Sequence, residues 1–103
     1  LIRAIFPLEG ADLMAALRPM LAYQPGWLNG PAKLAQALNI DGRLNRADLC
    51  SAESALFIEE GISVPPETLR TAARVGINSV PEPWRSVPWR WQADPEFIRR
   101  MCT

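Results

Sequence analysis

The stretch LNGPAKLAQALNI, residues 28–40, contains the clearest helix start in the chain. Asn29 or Gly30 suits the N-cap position. Pro31 suits the first turn because its φ is already helical and its missing N–H would have no partner there. Apolar residues then recur at the spacing of one helix face, which predicts a short helix packed against a core through Leu34, Ala37 and Leu38.

A basic residue, Lys33, lies in the first turn of this predicted helix. The unpaired N–H groups of a helix N-terminus favour an anion, and the lysine ammonium adds a positive charge beside them. This arrangement suits a phosphate group. A solvated lysine on a surface helix is the alternative that these residues alone leave open.

The composition restricts the class of protein. A length of 103 residues predicts one small domain with a modest core. The 11 basic and 11 acidic residues cancel, so any site for a polyanion must be local. No apolar run reaches the ~18 residues of a membrane helix, and we therefore expect no membrane partner.

Histidine and cysteine usage limits the chemistry. The chain has no histidine, and its two cysteines, Cys50 and Cys102, are far apart in sequence. This excludes a zinc site and Ser–His or Cys–His catalysis within the chain, and we expect neither a metal nor a cofactor. Free thiols in a reducing cytosol are favoured over a disulfide.

The beginning of the chain has the composition of a strand. Residues 1–6 (LIRAIF) are apolar except for Arg3, which predicts a core strand already under way, as if an N-terminal portion preceded it. A helix is expected over residues 12–18, with a stripe formed by Leu13, Met14 and Leu17.

The second half of the chain predicts further strands and one helix. Residues 55–59 and 89–91 have strand composition, and the proline-rich run 80–88 between them is expected to be extended. A last short helix is expected over residues 97–101. The run 67–77 fits a helix or a strand, and periodicity does not decide between them.

A series of short motifs runs through nearly the whole chain. In order they are LIRA (1–4) with PLEG (7–10), NGPAKL (29–34) with QAL (36–38), DL (48–49), IEEG (58–61), RVGI (74–77), and Trp84 followed by PWRW (88–91). Each motif alone is weak, but their order and spacing form a specific signal. The chain resembles the C-terminal half of the methylpurine (alkyladenine) DNA glycosylases.

The resemblance implies an α+β fold with a curved, mainly antiparallel sheet, similar to an open barrel, and helices packed around it. Residues 1–103 would be the C-terminal part of a single glycosylase domain, and Leu69–Ile77 would be strand at least near its end. Half a domain of this type would expose apolar strand edges. We therefore expect it to pair with the missing half or to be unstable.

The implied activity is DNA base-excision repair. The family hydrolyses the N-glycosidic bond of alkylated purines such as 3-methyladenine after the nucleotide is flipped out of the duplex. The resemblance places the general-base Glu, the intercalating Tyr and the pocket His and Tyr in the first half, so this chain alone is expected to be inactive. The partner would be double-stranded DNA containing alkylated purines, and the complete protein would be a cytoplasmic monomer, nucleoid-associated if bacterial.

Three residues match family positions at the reacting centre. Arg3 matches the arginine that holds the attacking water, and an Arg among apolar residues needs a polar partner. Val75 matches the position whose main-chain carbonyl is the second acceptor for that water, besides the general-base Glu. Leu1 matches a position that lines the base pocket, although an ordinary core role remains open for it.

Other residues match a segment near the DNA backbone. Gly30 and Lys33 fall in this segment, so the resemblance favours the phosphate role for Lys33. For Arg74 and Arg90, binding to the DNA backbone and a purely structural role are equally consistent with the sequence. Aromatic side chains on strands usually fill a core, which is the expectation for Trp84, Trp89 and Trp91.

A non-catalytic α+β module that binds DNA or protein is the alternative from another class. It would use the Lys33 helix and the Trp-rich C-terminal region. The absence of an acid–base cluster in this chain favours it, and the ordered motif series favours the glycosylase.

Overall fold

The computed structural model describes residues 1–101 and has the predicted α+β class. The chain divides into two compact units, Leu1–Glu60 and Gly61–Thr103. Cys50 is exposed and free, whereas Cys102 lies outside the described residues. The elements of the first unit are helix α1 (Ala11–Leu17), helix α2 (Pro31–Ala37) and a 3-10 helix (Gly42–Leu44).

Helix α2 confirms the helix predicted from the 28–40 stretch. Gly30 is its N-cap residue and Pro31 occupies the first turn, while Leu34 and Ala37 are buried. Leu38 ends the helix and is partly exposed. The cap is formed by backbone conformation alone, because no side chain accepts a hydrogen bond from the first turn.

Helix α1 is also confirmed, but its inward face is not the predicted stripe. Met14 is buried, with 7% of its surface exposed, whereas the neighbouring Leu13 is 74% exposed and Leu17 is exposed as well. The buried residue four positions after Met14 is Arg18, so the i, i+4 face turned inward carries a cation. The core of this unit is formed by Met14, Leu28 and Ala37, with Ile5 and Trp27 packed against them.

The prediction of a strand over residues 1–6 is wrong, because the structure describes these residues and shows no strand there. Ala4 forms only an isolated antiparallel bridge with Asn29. A strand requires a partner along its length, and this segment meets one only at a single point. Its burial nevertheless alternates as in a strand, because Arg3 and Ile5 are half-buried while Ile2 and Phe6 are exposed.

The second unit is built on a short antiparallel sheet. It contains a 3-10 helix (Pro66–Thr68), strands β1 (Leu69–Ala72) and β2 (Arg90–Ala93), and helix α3 (Pro95–Met101). The register pairs Leu69 with Ala93 and Ala72 with Arg90. The predicted strand near residue 90 and the last helix are therefore confirmed. The run 67–77, left open between helix and strand, is strand only over Leu69–Ala72, and the sheet is open.

Three local expectations in the two units are wrong. Residues 55–59 form no strand, and Ile58 donates a single backbone hydrogen bond to Leu49. Strand β1 ends at Ala72, so Arg74–Ile77 is not strand, and the backbone bends at Gly76 with φ +80°. Residues 82–86 form turns rather than an extended run.

The turn over residues 82–86 is held by one carboxylate. Glu82 accepts hydrogen bonds from the backbone N–H of Ser86 at 3.2 Å and from Arg85 Nε at 3.0 Å. The Ser86 hydroxyl also donates to it and is the main cause of the lowered pKa of Glu82.

No residue that the structure describes in the second unit is buried. The expectation that Trp84, Trp89 and Trp91 fill a core is wrong for this unit, because all three are more than half exposed. Trp84 and Trp89 instead contact each other, with ring centroids 5.6 Å apart. A two-stranded sheet offers too little surface to cover three indoles.

The opposite exposures of Met14 and Leu13 give a direct test of the core. We expect Met14→Ala to lower the free energy of unfolding by about 2 kcal/mol or more, because it leaves a cavity between α1 and α2. Leu13→Ala, in the same helix, should change it by about 0.5 kcal/mol or less. Urea unfolding followed by circular dichroism measures both, and equal losses would contradict the assignment of the inward face.

Candidate functional site

The beginning of the chain and the beginning of α2 are joined by backbone contacts. The Gly30 N–H donates a hydrogen bond of 2.8 Å to the main-chain oxygen of Arg3, beside the bridge between Ala4 and Asn29. Three of the residues singled out from the sequence, Arg3, Gly30 and Lys33, therefore belong to one local arrangement in the first unit.

The Arg3 side chain is half-buried on the same side of its segment as Ile5, which packs against the core. Within residues 1–101 its guanidinium makes neither a side-chain hydrogen bond nor an ion pair. A partly desolvated guanidinium with free donors is suited to bind an anion or a polar atom. Leu1, two residues earlier, is fully exposed.

Gly30 has a backbone conformation that favours glycine. Its φ is +139° and its ψ is 141°, and the residue is buried. A Cβ at this position would approach the Lys33 side chain, at 3.7 Å from Cδ, without a severe clash. The requirement for glycine here therefore comes from the positive φ rather than from lack of space.

The Lys33 side chain is exposed. Its Nζ lies 3.5 Å from the main-chain oxygen of Gly26, a long contact that leaves most of its hydrogen-bonding capacity available. Helix α2 has only seven residues, so the positive charge at this place comes mainly from the ammonium.

Arg74 and Val75 lie in the second unit, in the exposed segment that follows β1. Val75 is about half exposed and precedes Gly76, whose positive φ turns the backbone. Arg90, in β2, donates a hydrogen bond of 3.1 Å to the carbonyl of Ala73.

Sequence reasoning missed Arg18. This residue follows α1, is only 6% exposed, and donates a hydrogen bond from Nη1 to Oε1 of Gln36 in α2. Its signal was the i, i+4 spacing from Met14, which places it on the inward face. Because an arginine at a helix end is ordinarily solvated, this spacing alone did not predict that Arg18 is buried.

Neither metal-binding clusters nor membrane-spanning helices occur in the described part of the chain. No three His, Cys, Asp or Glu side chains among residues 1–101 are grouped so that they could hold a metal ion. The same residues contain no helix of the length and apolar character needed to cross a bilayer.

Residues 1–96 match the family model described as Methylpurine-DNA glycosylase (MPG). The chain belongs to the methylpurine-DNA glycosylase family. The resemblance drawn from the short motifs is thereby confirmed, and the match includes Arg3, the α2 start and the segment around Val75.

Three curated relatives of this chain are also named as DNA glycosylases. The chain is 37% identical over 91 residues to a protein of Burkholderia lata, 42% over 106 residues to one of Desulfitobacterium hafniense, and 39% over 101 residues to one of Bacillus subtilis. Each is named "Putative 3-methyladenine DNA glycosylase".

The matches cover most of this chain but only about half of each relative. The matches include 88%, 95% and 97% of this chain but 42%, 50% and 48% of the relatives. The chain therefore spans about half the length of the curated relatives it matches.

Proposed function

We propose that this chain is the C-terminal part of a DNA glycosylase domain that excises alkylated purines, such as 3-methyladenine, in base-excision repair. The family match over residues 1–96 carries this proposal. The names of the relatives and the contact between Arg3 and the α2 start support it.

The reaction is hydrolysis of the bond between a purine nitrogen and C1′ of the sugar. The target base must leave the stack before a water can reach C1′. The water oxygen then forms a bond to C1′, the electron pair of the N-glycosidic bond leaves with the purine, and a carboxylate accepts the water proton. An alkylated purine already carries positive charge, so it leaves readily.

In this proposal the chain supplies groups that position the water, and the carboxylate lies outside it. The family resemblance assigns to the Arg3 guanidinium the role of a donor to the water, and to the Val75 main-chain carbonyl the role of an acceptor from it. Leu1 would line the pocket for the flipped base. We expect the 103-residue chain to be inactive without that carboxylate, because the family position of the general base lies outside it.

Binding to the DNA backbone would use other residues. Lys33 offers an exposed ammonium beside Gly30, and Arg74 offers an exposed guanidinium in the second unit. Contacts of this kind orient the duplex without reading its sequence. Because the net charge of the chain is zero, these local cations would carry the attraction to phosphate.

A binding module without catalysis is a second candidate. The exposure of Trp84, Trp89 and Trp91 favours it, because exposed indoles commonly contact bases or protein partners. Such a module would not need the remainder of a glycosylase.

Excision assays distinguish the two functions. We expect the complete polypeptide that contains this chain to release methylated adenine from alkylated DNA, whereas the purified 103-residue chain releases none. Release by the chain alone would contradict the assignment of the carboxylate to another segment. Failure of the complete, folded polypeptide to release any alkylated purine would favour the binding module.

Lys33→Ala in the complete polypeptide tests the backbone contact. Loss of one phosphate contact should weaken binding equally to damaged and undamaged duplexes and should reduce the salt dependence, the slope of log K against log[salt], by about 0.9. Fluorescence anisotropy at several salt concentrations measures this slope.

Arg43→Ala is the matched control for that measurement. Arg43 is an exposed cation of the same unit that is paired with Asp41 at 2.8 Å, and this contact lowers the pKa of Asp41. We expect it to leave the salt dependence unchanged. If Lys33→Ala also leaves the slope unchanged, Lys33 is a solvated surface residue.

Arg3→Ala in the complete polypeptide tests the role in the chemical step. Loss of the water-positioning donor should slow single-turnover excision by roughly 10²–10⁴-fold while duplex affinity stays within a few-fold. Arg3→Lys should restore the rate only in part, because an ammonium keeps the charge without the planar fork. Excision at the parental rate by folded Arg3→Ala protein would reduce Arg3 to a structural residue.

A further inference from the structure

Arg18 is a buried cation that links the two helices of the first unit. It follows α1 and is 6% exposed, and its Nη1 donates a hydrogen bond to Oε1 of Gln36 in α2. Its Nε is also buried and has no hydrogen-bond partner, and no carboxylate among residues 1–101 forms an ion pair with it. The proposed reaction does not use this group.

Burial of Arg18 is costly for the stability of the fold. A guanidinium remains protonated throughout the pH range of proteins, so it cannot reduce this cost by losing a proton. The Gln36 amide accepts one hydrogen bond but neutralises no charge. Replacement of a buried ionic arrangement by well-packed apolar side chains is often neutral or stabilising. The burial therefore indicates a benefit other than stability.

Helix α2 is held by hydrogen bonds at both of its ends. At its beginning the Gly30 N–H donates to the main-chain oxygen of Arg3 at 2.8 Å, and near its end Gln36 accepts from Arg18. The apolar contacts of the core between α1 and α2 are non-directional, so they do not fix how a seven-residue helix is turned. A hydrogen bond depends on direction, and the two bonds together therefore restrain the orientation of α2.

We propose that Arg18 is a positioning residue for the reacting centre. By holding Gln36 it fixes the direction of α2, and α2 holds the segment of Arg3 through the Gly30 N–H. The inference rests on the proposed function, in which the Arg3 guanidinium holds the attacking water. Misplacement of a reacting group by about 1 Å can slow a reaction by about 100-fold, so the direction of α2 matters to the chemical step.

The experiment replaces the polar pair by an apolar pair in the complete polypeptide. Arg18→Met combined with Gln36→Leu removes the buried charge and its hydrogen bond together, so Tm should be unchanged or higher. Single-turnover excision, measured well below Tm, should nevertheless slow by roughly 10-fold, because Arg3 is no longer held in place. A purely structural role for Arg18 predicts excision at the parental rate in this stable variant, and that result would overturn the proposal.

Single variants at Gln36, an exposed position, separate the hydrogen bond from the charge. Gln36→Glu keeps an acceptor for Arg18 and supplies a counter-ion, so Tm should rise while the excision rate is preserved. Gln36→Leu removes the acceptor and should slow excision about as much as the double variant. Gln24→Leu alters another exposed glutamine of the same unit and should leave the rate unchanged. Parental excision by Gln36→Leu contradicts the proposal.

Amide hydrogen exchange tests the positioning without relying on the reaction. In the double variant the Gly30 N–H, which donates to Arg3, should exchange roughly 10-fold faster than in the parent. The Leu34 N–H, which donates to the main-chain oxygen of Gly30 at 2.9 Å, should keep its rate because α2 itself stays intact. Faster exchange of both amides, or of neither, overturns the role of Arg18. If the parental polypeptide excises no alkylated purine, the proposed function fails, and these two amides alone decide whether Arg18 holds α2.

Discussion

The hydrogen bond from the Gly30 N–H to the main-chain oxygen of Arg3 joins the two parts of the chain on which the candidate site depends. Gly30 serves at once as the N-cap of α2 and as the donor to the first segment, and its φ of +139° allows both. Lys33 follows one turn later in the same helix. A single residue with an unusual backbone conformation therefore sets the positions of the proposed water-holding arginine and the proposed phosphate-binding lysine.

The energy that holds this junction comes from a small core. Met14, Leu28 and Ala37 are buried between α1, α2 and the loop that connects them, with Ile5 contributing from the first segment. The second unit has no comparable core among its described residues, and its order depends on the β1–β2 pairing and on contacts such as the ion pair of Arg70 with Asp94 at 3.3 Å. Exposed ion pairs contribute little stability. The two units are thus supported by different interactions.

The sequence predicted the elements whose signals are local. Helix α2 was predictable because Gly30, Pro31 and the apolar spacing act within two turns, and α1 and α3 were predictable for similar reasons. The strands expected at residues 1–6 and 55–59 do not occur among the described residues, because strand composition does not specify a pairing partner. The predicted stripe on α1 was wrong because Leu13 and Met14 are adjacent and equally apolar, so only tertiary packing decides which of them turns inward.

The same limit applies to the candidate site. Arg3, Gly30 and Lys33 could be singled out from motifs, but their connection through one backbone hydrogen bond required the fold. Arg18 was missed because hydropathy treats arginine as a surface residue, and a buried arginine is informative only when its partners are known. Arg3 and Arg18 share one property, since each guanidinium keeps donors that no described residue satisfies. For Arg3, a half-buried guanidinium with free donors can bind a polar atom at no cost of breaking an existing pair, which is the property that our proposal of a water-holding role uses.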